Sequence, residues 1–368
     1  MVDFLAETYP LLGRRLPKVP LADLPTPVTT HRLALPSGSF DVAVKHDEAT
    51  SRLYGGNKVR KLEYLLKRAI DQGAQRVATF GAAGSNHALA TAMHARELGL
   101  ECTCFLSHQS VAPNVARTLN MHQRIGTEIV HWRGGADKLN LFRKHLQGRN
   151  TWVIPLGGTC WRGSVGFVNA GLELAAQISD GSVERPDRIY VACGTTGSAA
   201  GLALGIAAAG LDTVVHAVQV ADNPFASEAK MHKLIAKTQF ILKRLDPAFS
   251  GDGWHERIVW RDEFLAGGYA RIDDATVNAV ATAKKQLELD LETTYTGKAM
   301  AALLHDLVHD AEAADVDCER CLFWNTYNAA PLPVSAERPQ TFDGIPDEFE
   351  RYYSHQETLV GQAVNRVT

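Results

Sequence analysis

The sequence predicts an α/β fold built on parallel sheet, and three observations carry that expectation. Short apolar runs alternate with segments of helical period from residue 76 to residue 324. Small-residue turns join a run to the helix after it, as in Gly81-Ala82-Ala83-Gly84-Ser85-Asn86-His87 and Gly194-Thr195-Thr196-Gly197-Ser198. Alternation of this kind makes βαβ units with right-handed crossovers. At 368 residues, 45% hydrophobic and 21% charged, the chain can also bury one large or two ordinary cores.

Taken in order, residues 9 to 36 carry six prolines and no helical period, so an ordered arm is expected there. Phe40 to Lys45 alternates as a strand. His46-Asp47-Glu48 then leads to Tyr54-Gly55-Gly56-Asn57-Lys58, around which the chain is organised. Two glycines let backbone approach a ligand closely, and Asn57 is a good helix N-cap. Val59, Leu62, Leu65, Leu66, Ala69 and Ile70 then share one helix face, and Gly73 closes the helix. Lys58 thus sits at the positive end of a helix dipole, which disfavours the ammonium and favours a nucleophilic amine. Such an amine suits a Schiff base with pyridoxal phosphate. By itself the stretch reads equally as a glycine turn before an amphipathic helix with exposed basic residues.

Arg76 to Phe80, Leu100 to Leu106, Glu128 to His131, Thr151 to Ile154, Asp187 to Ala192, Val214 to Val220 and Arg320 to Trp324 read as strands. Helices are expected over Ala88 to Leu98, Val165 to Ser179, Ala199 to Ala209, Ser227 to Leu245, Thr276 to Glu288 and Lys298 to Ala311. The tail from Ser335 onward is polar and weakly patterned.

A net charge of -3 gives no reason to expect nucleic acid or an anionic membrane as partner. The first residues lack the basic and apolar regions of a signal peptide, and Gly197 to Gly210 is too short to span a bilayer. The six cysteines are scattered, and Cys318 and Cys321 form the one C-x-x-C pair. Without a second pair at zinc spacing no metal site is indicated. All six read as reduced, which places the chain in the cytoplasm.

Gly194-Thr195-Thr196-Gly197-Ser198 joins a strand to a helix start and can hold an anion through backbone N–H groups and hydroxyls. It is neither a P-loop nor a dinucleotide fingerprint. Ser85-Asn86-His87 has the same placement and could hold a carboxylate, with Ser85 acting on a substrate proton, or Ser85 could serve only as a cap. Tyr269 and Tyr295, taken singly, read as packing residues.

The series GGNKVRKLEYLL, GSNHALATA, GGTCWRGSVGFVNAGLELA, CGTTGSAAGLALG and YTGKAM, in that order, resembles the 1-aminocyclopropane-1-carboxylate deaminase/D-cysteine desulfhydrase family. The resemblance spans roughly residues 40 to 305. It implies a tryptophan-synthase-β-like α/β fold: two parallel-sheet three-layer domains, with pyridoxal 5'-phosphate in the cleft between them, and a homodimer. The smaller domain is implied at residues 54–162, inserted in a larger one made of 1–53 and 163–368. Lys58 is implied to carry the cofactor and move the α-proton. Asn86 is implied at the ring oxygen, Ser85 and His87 at the substrate carboxylate, and Gly194, Thr195, Thr196, Gly197 and Ser198 at the phosphate. Tyr269 and Tyr295 match the family's active-site tyrosines.

Two departures bear on substrate choice. Thr296 follows Tyr295 where deaminases of the family carry a glutamate facing the pyridine nitrogen, and a His-Thr-Gly-Gly segment is replaced by Trp324-Asn325-Thr326-Tyr327-Asn328. A neutral hydroxyl from Thr296 or Thr326 leaves the ring a weaker electron sink than a carboxylate would. The expected activity is therefore β-elimination from a small amino acid, D-cysteine foremost, giving pyruvate, ammonia and sulfide. Deamination of 1-aminocyclopropane-1-carboxylate is the alternative, and a non-catalytic carrier of the cofactor is a second.

Overall fold

The computed structural model describes residues 2–133, 140, 144–146, 150–312 and 319–354. Contacts divide the chain into two compact units, residues 1–67 with 158–330 and residues 68–157 with 331–368.

In chain order the helices are α1 (Phe4–Thr8), α2 (Pro10–Arg15), α3 (Lys58–Asp71), α4 (Asn86–Glu97), α5 (Pro113–Arg124), α6 (Trp161–Ser179), α7 (Gly197–Ala208), α8 (Glu228–Leu245), α9 (Asp274–Leu287), α10 (Thr296–Glu312) and α11 (Arg351–Ser354). The strands are β1 (Val28–Leu35), β2 (Gly38–His46), β3 (Arg76–Ala82), β4 (Glu101–Ser107), β5 (Glu128–His131), β6 (Thr151–Val153), β7 (Arg188–Cys193), β8 (Val214–Gln219), β9 (Ile258–Arg261) and β10 (Cys321–Asn325).

The larger unit holds a six-stranded sheet among the described residues, in the order β1-β2-β10-β7-β8-β9. Only β1 runs antiparallel to its neighbour. Side chains alternate across this sheet. Ile189, Val191 and Cys193 of β7 join a core with α6, α7 and α8, whereas Tyr190 and Ala192 join a second core with α9 and α10. Burial on both faces is why β7 reads as a continuous apolar run and not as an alternating one. The smaller unit carries a four-stranded parallel sheet, β5-β4-β3-β6. Its Ala78, Phe80, Phe105 and Val130 form a core of their own.

Several elements depart from expectation. The proline-rich arm contains α2, which starts at Pro10, and β1, whose Pro27 and Pro36 flank the strand without entering its ladder. Helix α5 and edge strand β9 were not anticipated, and α6 begins at Trp161, four residues before the expected start. The polar tail buries Ile345, Phe349 and Tyr352. In β4, Cys102 and Cys104 do share a face, with sulfurs 3.7 Å apart. Cys102, Cys104, Cys160, Cys193 and Cys321 are free thiols, and Cys318 lies outside the described residues. No described helix is long and apolar enough to cross a membrane.

Candidate functional site

Strands β2, β10 and β7 are parallel neighbours, so the loops at their carboxyl ends emerge side by side. Ligand sites of open α/β sheets lie outside such ends. After β2 the chain makes the Gly55-Gly56 turn that carries Lys58. The turn is held from both sides. Asp47 accepts from the Gly56 N–H at 2.9 Å, Thr326 O accepts from the Asn57 N–H at 3.2 Å, and Asn328 Oδ1 accepts from the Gly55 N–H at 2.6 Å. A Cβ on Gly55 would lie 2.0 Å from Glu48 O, and one on Gly56 would lie 2.7 Å from Thr326 O. Close approach does require both glycines, but it is the protein's own backbone that comes close, from segments before and after them. The altered Asn325–Asn328 stretch is thus what braces the Lys58 turn.

Below this turn lies a closed ionic network. Arg60 donates to both oxygens of Asp47 (2.8 and 2.7 Å) and to both of Glu173 (2.7 and 3.1 Å), while Lys45 Nζ reaches Glu173 at 2.5 Å. Neither carboxylate is exposed at all. Burial alone would raise the Glu173 carboxyl, but Arg60 and then Lys45 outweigh it and hold it at about 2. Two cations against two anions leave the network neutral, the condition under which buried charge is tolerated. The apolar face expected of α3 is buried at Val59, Leu62, Leu65, Leu66 and Ala69, but the exposure expected of its polar side fails here. Arg60, Lys61, Glu63 and Tyr64 are all buried, and Ile70 from the expected apolar face is exposed.

The carboxamide of Asn57 faces the site. It accepts from Lys58 Nζ at 2.8 Å and donates to Ser198 Oγ at 3.0 Å. Lys58 is half-buried, and loss of solvent around Nζ lowers its pKa to about 8, with the Glu292 carboxyl pulling the other way. Desolvation is the largest cause.

The loop after β7 forms an anion cradle at the start of α7. Thr196 holds φ +68°, a left-handed conformation that a β-branched residue adopts only when its surroundings impose it. Thr159 Oγ1 donates to Thr195 Oγ1 at 2.7 Å. A Cβ on Gly197 would lie 3.0 Å from both Lys61 Nζ and Thr159 Oγ1, so these two polar groups close in on the start of α7 at Gly197. Lys61 is buried, and burial first, then the charge of Lys58, pushes its amine well below the ordinary lysine value. Two crowded amines, a helix N-terminus and hydroxyls make a site that a phosphate dianion would relieve.

Tyr269 and Tyr295 meet at the same end of the sheet, hydroxyl to hydroxyl at 2.7 Å. Asp222, just past β8, accepts from the Tyr269 N–H at 2.8 Å, and Lys298 Nζ donates to Leu265 O and Gly268 O. Both hydroxyls are raised above the usual tyrosine range, chiefly by desolvation, and stay protonated. Glu292 accepts from the Thr294, Tyr295 and Thr296 N–H groups at 2.7 to 2.8 Å and so caps α10. The Thr296 hydroxyl turns to the same residue, 3.2 Å from Glu292 Oε1. Thr296 is neutral, but a carboxyl stands directly behind it.

Ser85, Asn86 and His87 lie in the smaller unit at the start of α4. Ser85 Oγ accepts from the Ala88 N–H at 3.3 Å, which is the cap, and its own proton remains available to a ligand. The His87 ring turns inward to Thr79 at 2.9 Å.

The model of the pyridoxal-phosphate dependent enzyme family matches residues 19–323. D-cysteine desulfhydrase of Klebsiella pneumoniae (strain 342) is 32% identical over 305 residues, 79% of this chain and 88% of that protein. The protein of the same name from Salmonella paratyphi B is 33% identical over 300 residues, with the same coverage. The chain belongs to this family. This pyridoxal phosphate enzyme is a lyase on the 1-aminocyclopropane-1-carboxylate deaminase/D-cysteine desulfhydrase branch. The crystal structure of an "ACC deaminase homologue" superposes with a TM-score of 0.70 at 27% identity, covering 90% of this chain and 96% of that one. A fungal L-serine ammonia-lyase from Rhizomucor miehei shares the fold alone, at TM-score 0.56 and 16% identity over 89% of this chain and 98% of that one.

The donor set around Gly197 and the amine of Lys58 fit pyridoxal phosphate. Sequence reasoning missed Lys61, Thr159 and Glu292. Lys61 had a signal, since i+3 spacing puts it on the Lys58 side of α3, as did Glu292, an acid just before a helix start. Thr159 had none, because only the fold brings its loop to α7.

Proposed function

We propose that this enzyme eliminates the β-substituent of a small D-amino acid, D-cysteine foremost, with water completing the conversion to pyruvate, ammonia and sulfide. The observation that carries the reading is the Lys58 amine, at about 8, set in one unit with the Gly194–Ser198 cradle and the Tyr269–Tyr295 pair. The relatives named D-cysteine desulfhydrase support the choice of substrate. When bound, pyridoxal phosphate supplies the sink for the electron pair left on the α-carbon. Lys58 Nζ takes the α-proton, and Asn57 Oδ1 orients it. Thr195, Thr196, Gly197, Ser198 and Lys61 hold the phosphate, with Gly194 leading into the loop, and Asn86 meets the ring oxygen. Ser85, Asn86 and His87 offer the start of α4 to the substrate's carboxylate. The protonated Tyr269–Tyr295 pair delivers a proton to the departing sulfur.

Thr296 or Thr326 faces the ring nitrogen as a neutral group, which favours loss of a thiol over opening of a cyclopropane. The reading includes two domains, the smaller inserted in the larger, and a cytoplasmic homodimer, in keeping with the free thiols among the described residues. D-cysteine, β-chloro-D-alanine and 1-aminocyclopropane-1-carboxylate should be assayed side by side for 2-oxo acid. Pyruvate from the first two should exceed 2-oxobutyrate from the third, and the reverse order would refute the assignment. A yellow holoenzyme unmoved by any amino acid would point to a carrier instead.

A further inference from the structure

The tail beyond Ala330 belongs to the smaller unit and lies along α5. Asn120 donates to Ser335 O and Glu337 O, Gln123 to Thr341 O and Asp343 O, and Arg124 to Pro333 O, all at 2.8 to 3.0 Å. Its described part also buries Phe349, Tyr352 and Tyr353. Here it does something more specific than cover a helix. The Tyr352 hydroxyl accepts from the Gln109 N–H at 2.8 Å and donates to the Gln109 carbonyl at 3.0 Å, clamping both main-chain groups of one residue. Gln109 lies just past β4, two residues beyond Ser107. Its side-chain oxygen accepts from the Gly84 N–H at 2.9 Å. Gly84 directly precedes Ser85, and a Cβ there would press on Val115 Cγ2 at 3.1 Å and on the Gln109 carboxamide at 3.2 Å.

We infer that Tyr352 and Gln109 are positioning residues for the Ser85-Asn86-His87 turn, so that the tail sets how well the enzyme holds its substrate's carboxylate. This rests on the reading of that turn as the carboxylate site. The chain of contacts is short: Tyr352 fixes Gln109, Gln109 fixes Gly84, and Gly84 sets where α4 begins, with one side contact from the Tyr352 hydroxyl to His108 Nδ1 at 3.3 Å. Neither residue reaches the amine that moves protons. Loosening the strap should therefore weaken substrate binding and leave the chemistry of bound substrate intact, which is the signature of lost uniform binding. Ser85 would keep its cap on α4, so the loop would fluctuate about its position and not unfold.

The test uses holoenzyme carrying Tyr352→Phe, Gln109→Met or both. Tyr352→Phe keeps the buried ring and removes only the hydroxyl. One hydrogen bond of ordinary strength corresponds to a KM for D-cysteine raised about three- to tenfold, with kcat within about twofold. The double variant should be no worse than the poorer single, because both act through one chain of bonds. Amide hydrogen exchange of the peptide containing Gly84 to Ala88 should quicken while exchange in α7 stays unchanged. Unchanged exchange in that peptide would overturn the strap. Faster exchange with unaltered KM, or a fall in kcat as large as the rise in KM, would overturn its role in substrate binding. Should the wild type release no 2-oxo acid from any D-amino acid, the failure lies with the functional reading, and the exchange measurement still decides whether the tail holds the loop.

Discussion

Replacing Lys61 by methionine separates the cofactor's needs from those of the fold. Lys61 is 2% exposed, and its amine lies against Gly197 and Thr159 at the head of α7. Methionine is unbranched, one heavy atom shorter, and carries no charge. A charge-assisted hydrogen bond to a phosphate is worth about 1.5–3 kcal/mol, so affinity for pyridoxal phosphate should fall about ten- to 150-fold. The apoprotein should behave in the opposite sense. Burial depresses the Lys61 pKa in the fold, so near neutral pH the unfolded chain holds more protons than the folded one. Wild-type stability must then climb as pH rises toward the ordinary lysine value of 10.5. Lys61→Met removes part of that slope and should leave apoprotein Tm at pH 7 equal or higher. Absorbance titration with the cofactor gives the affinity, and thermal melts of apoprotein from pH 7 to 10 give the slope. Affinity within twofold of wild type, together with a lower apoprotein Tm, would show that Lys61 is structural and that the phosphate lies elsewhere.

Two further expectations follow from the same geometry. A Lys58 pKa near 8 leaves about 9% of the amine neutral at pH 7, roughly 300-fold more than at 10.5. Reloading of apoprotein with cofactor should therefore speed up as pH rises and level off above about 8; a rate still climbing at pH 10 would contradict the depressed value. Borohydride reduction should then mark Lys58, and a mark on Lys61 or Lys298 would displace it. Glu173→Ala strips the buried network of one anion and strands Lys45, leaving Arg60 with Asp47 alone, which should lower stability by about 3–5 kcal/mol in denaturant melts. A loss under about 1 kcal/mol would mean that water enters and solvates the cations.

The sequence by itself determined the strand–helix alternation, the parallel sheet and the three turns proposed to carry chemistry. Each is written locally: a buried strand in an apolar run, a helix start in its cap, a turn in its glycines. Helix α5 and strand β9 escaped because the first is amphipathic without a capping side chain and the second is four residues long at a sheet edge. In helix α3 the period gave the buried apolar face but not the burial of Arg60, Lys61 and Glu63. The tertiary structure instead surrounds its first turns and pairs Arg60 with Asp47 and Glu173, residues 13 and 113 positions away. Distance along the chain also hid the bracing of Gly55 by Asn328, the approach of Lys61 and Thr159 to Gly197, and the hold of Tyr352 on Gln109. A local pattern can announce a reactive amine or an anion-binding turn. It cannot announce what faces them, because their partners meet only where the sheet order β2-β10-β7 sets strand ends side by side, or where the tail folds back onto α5.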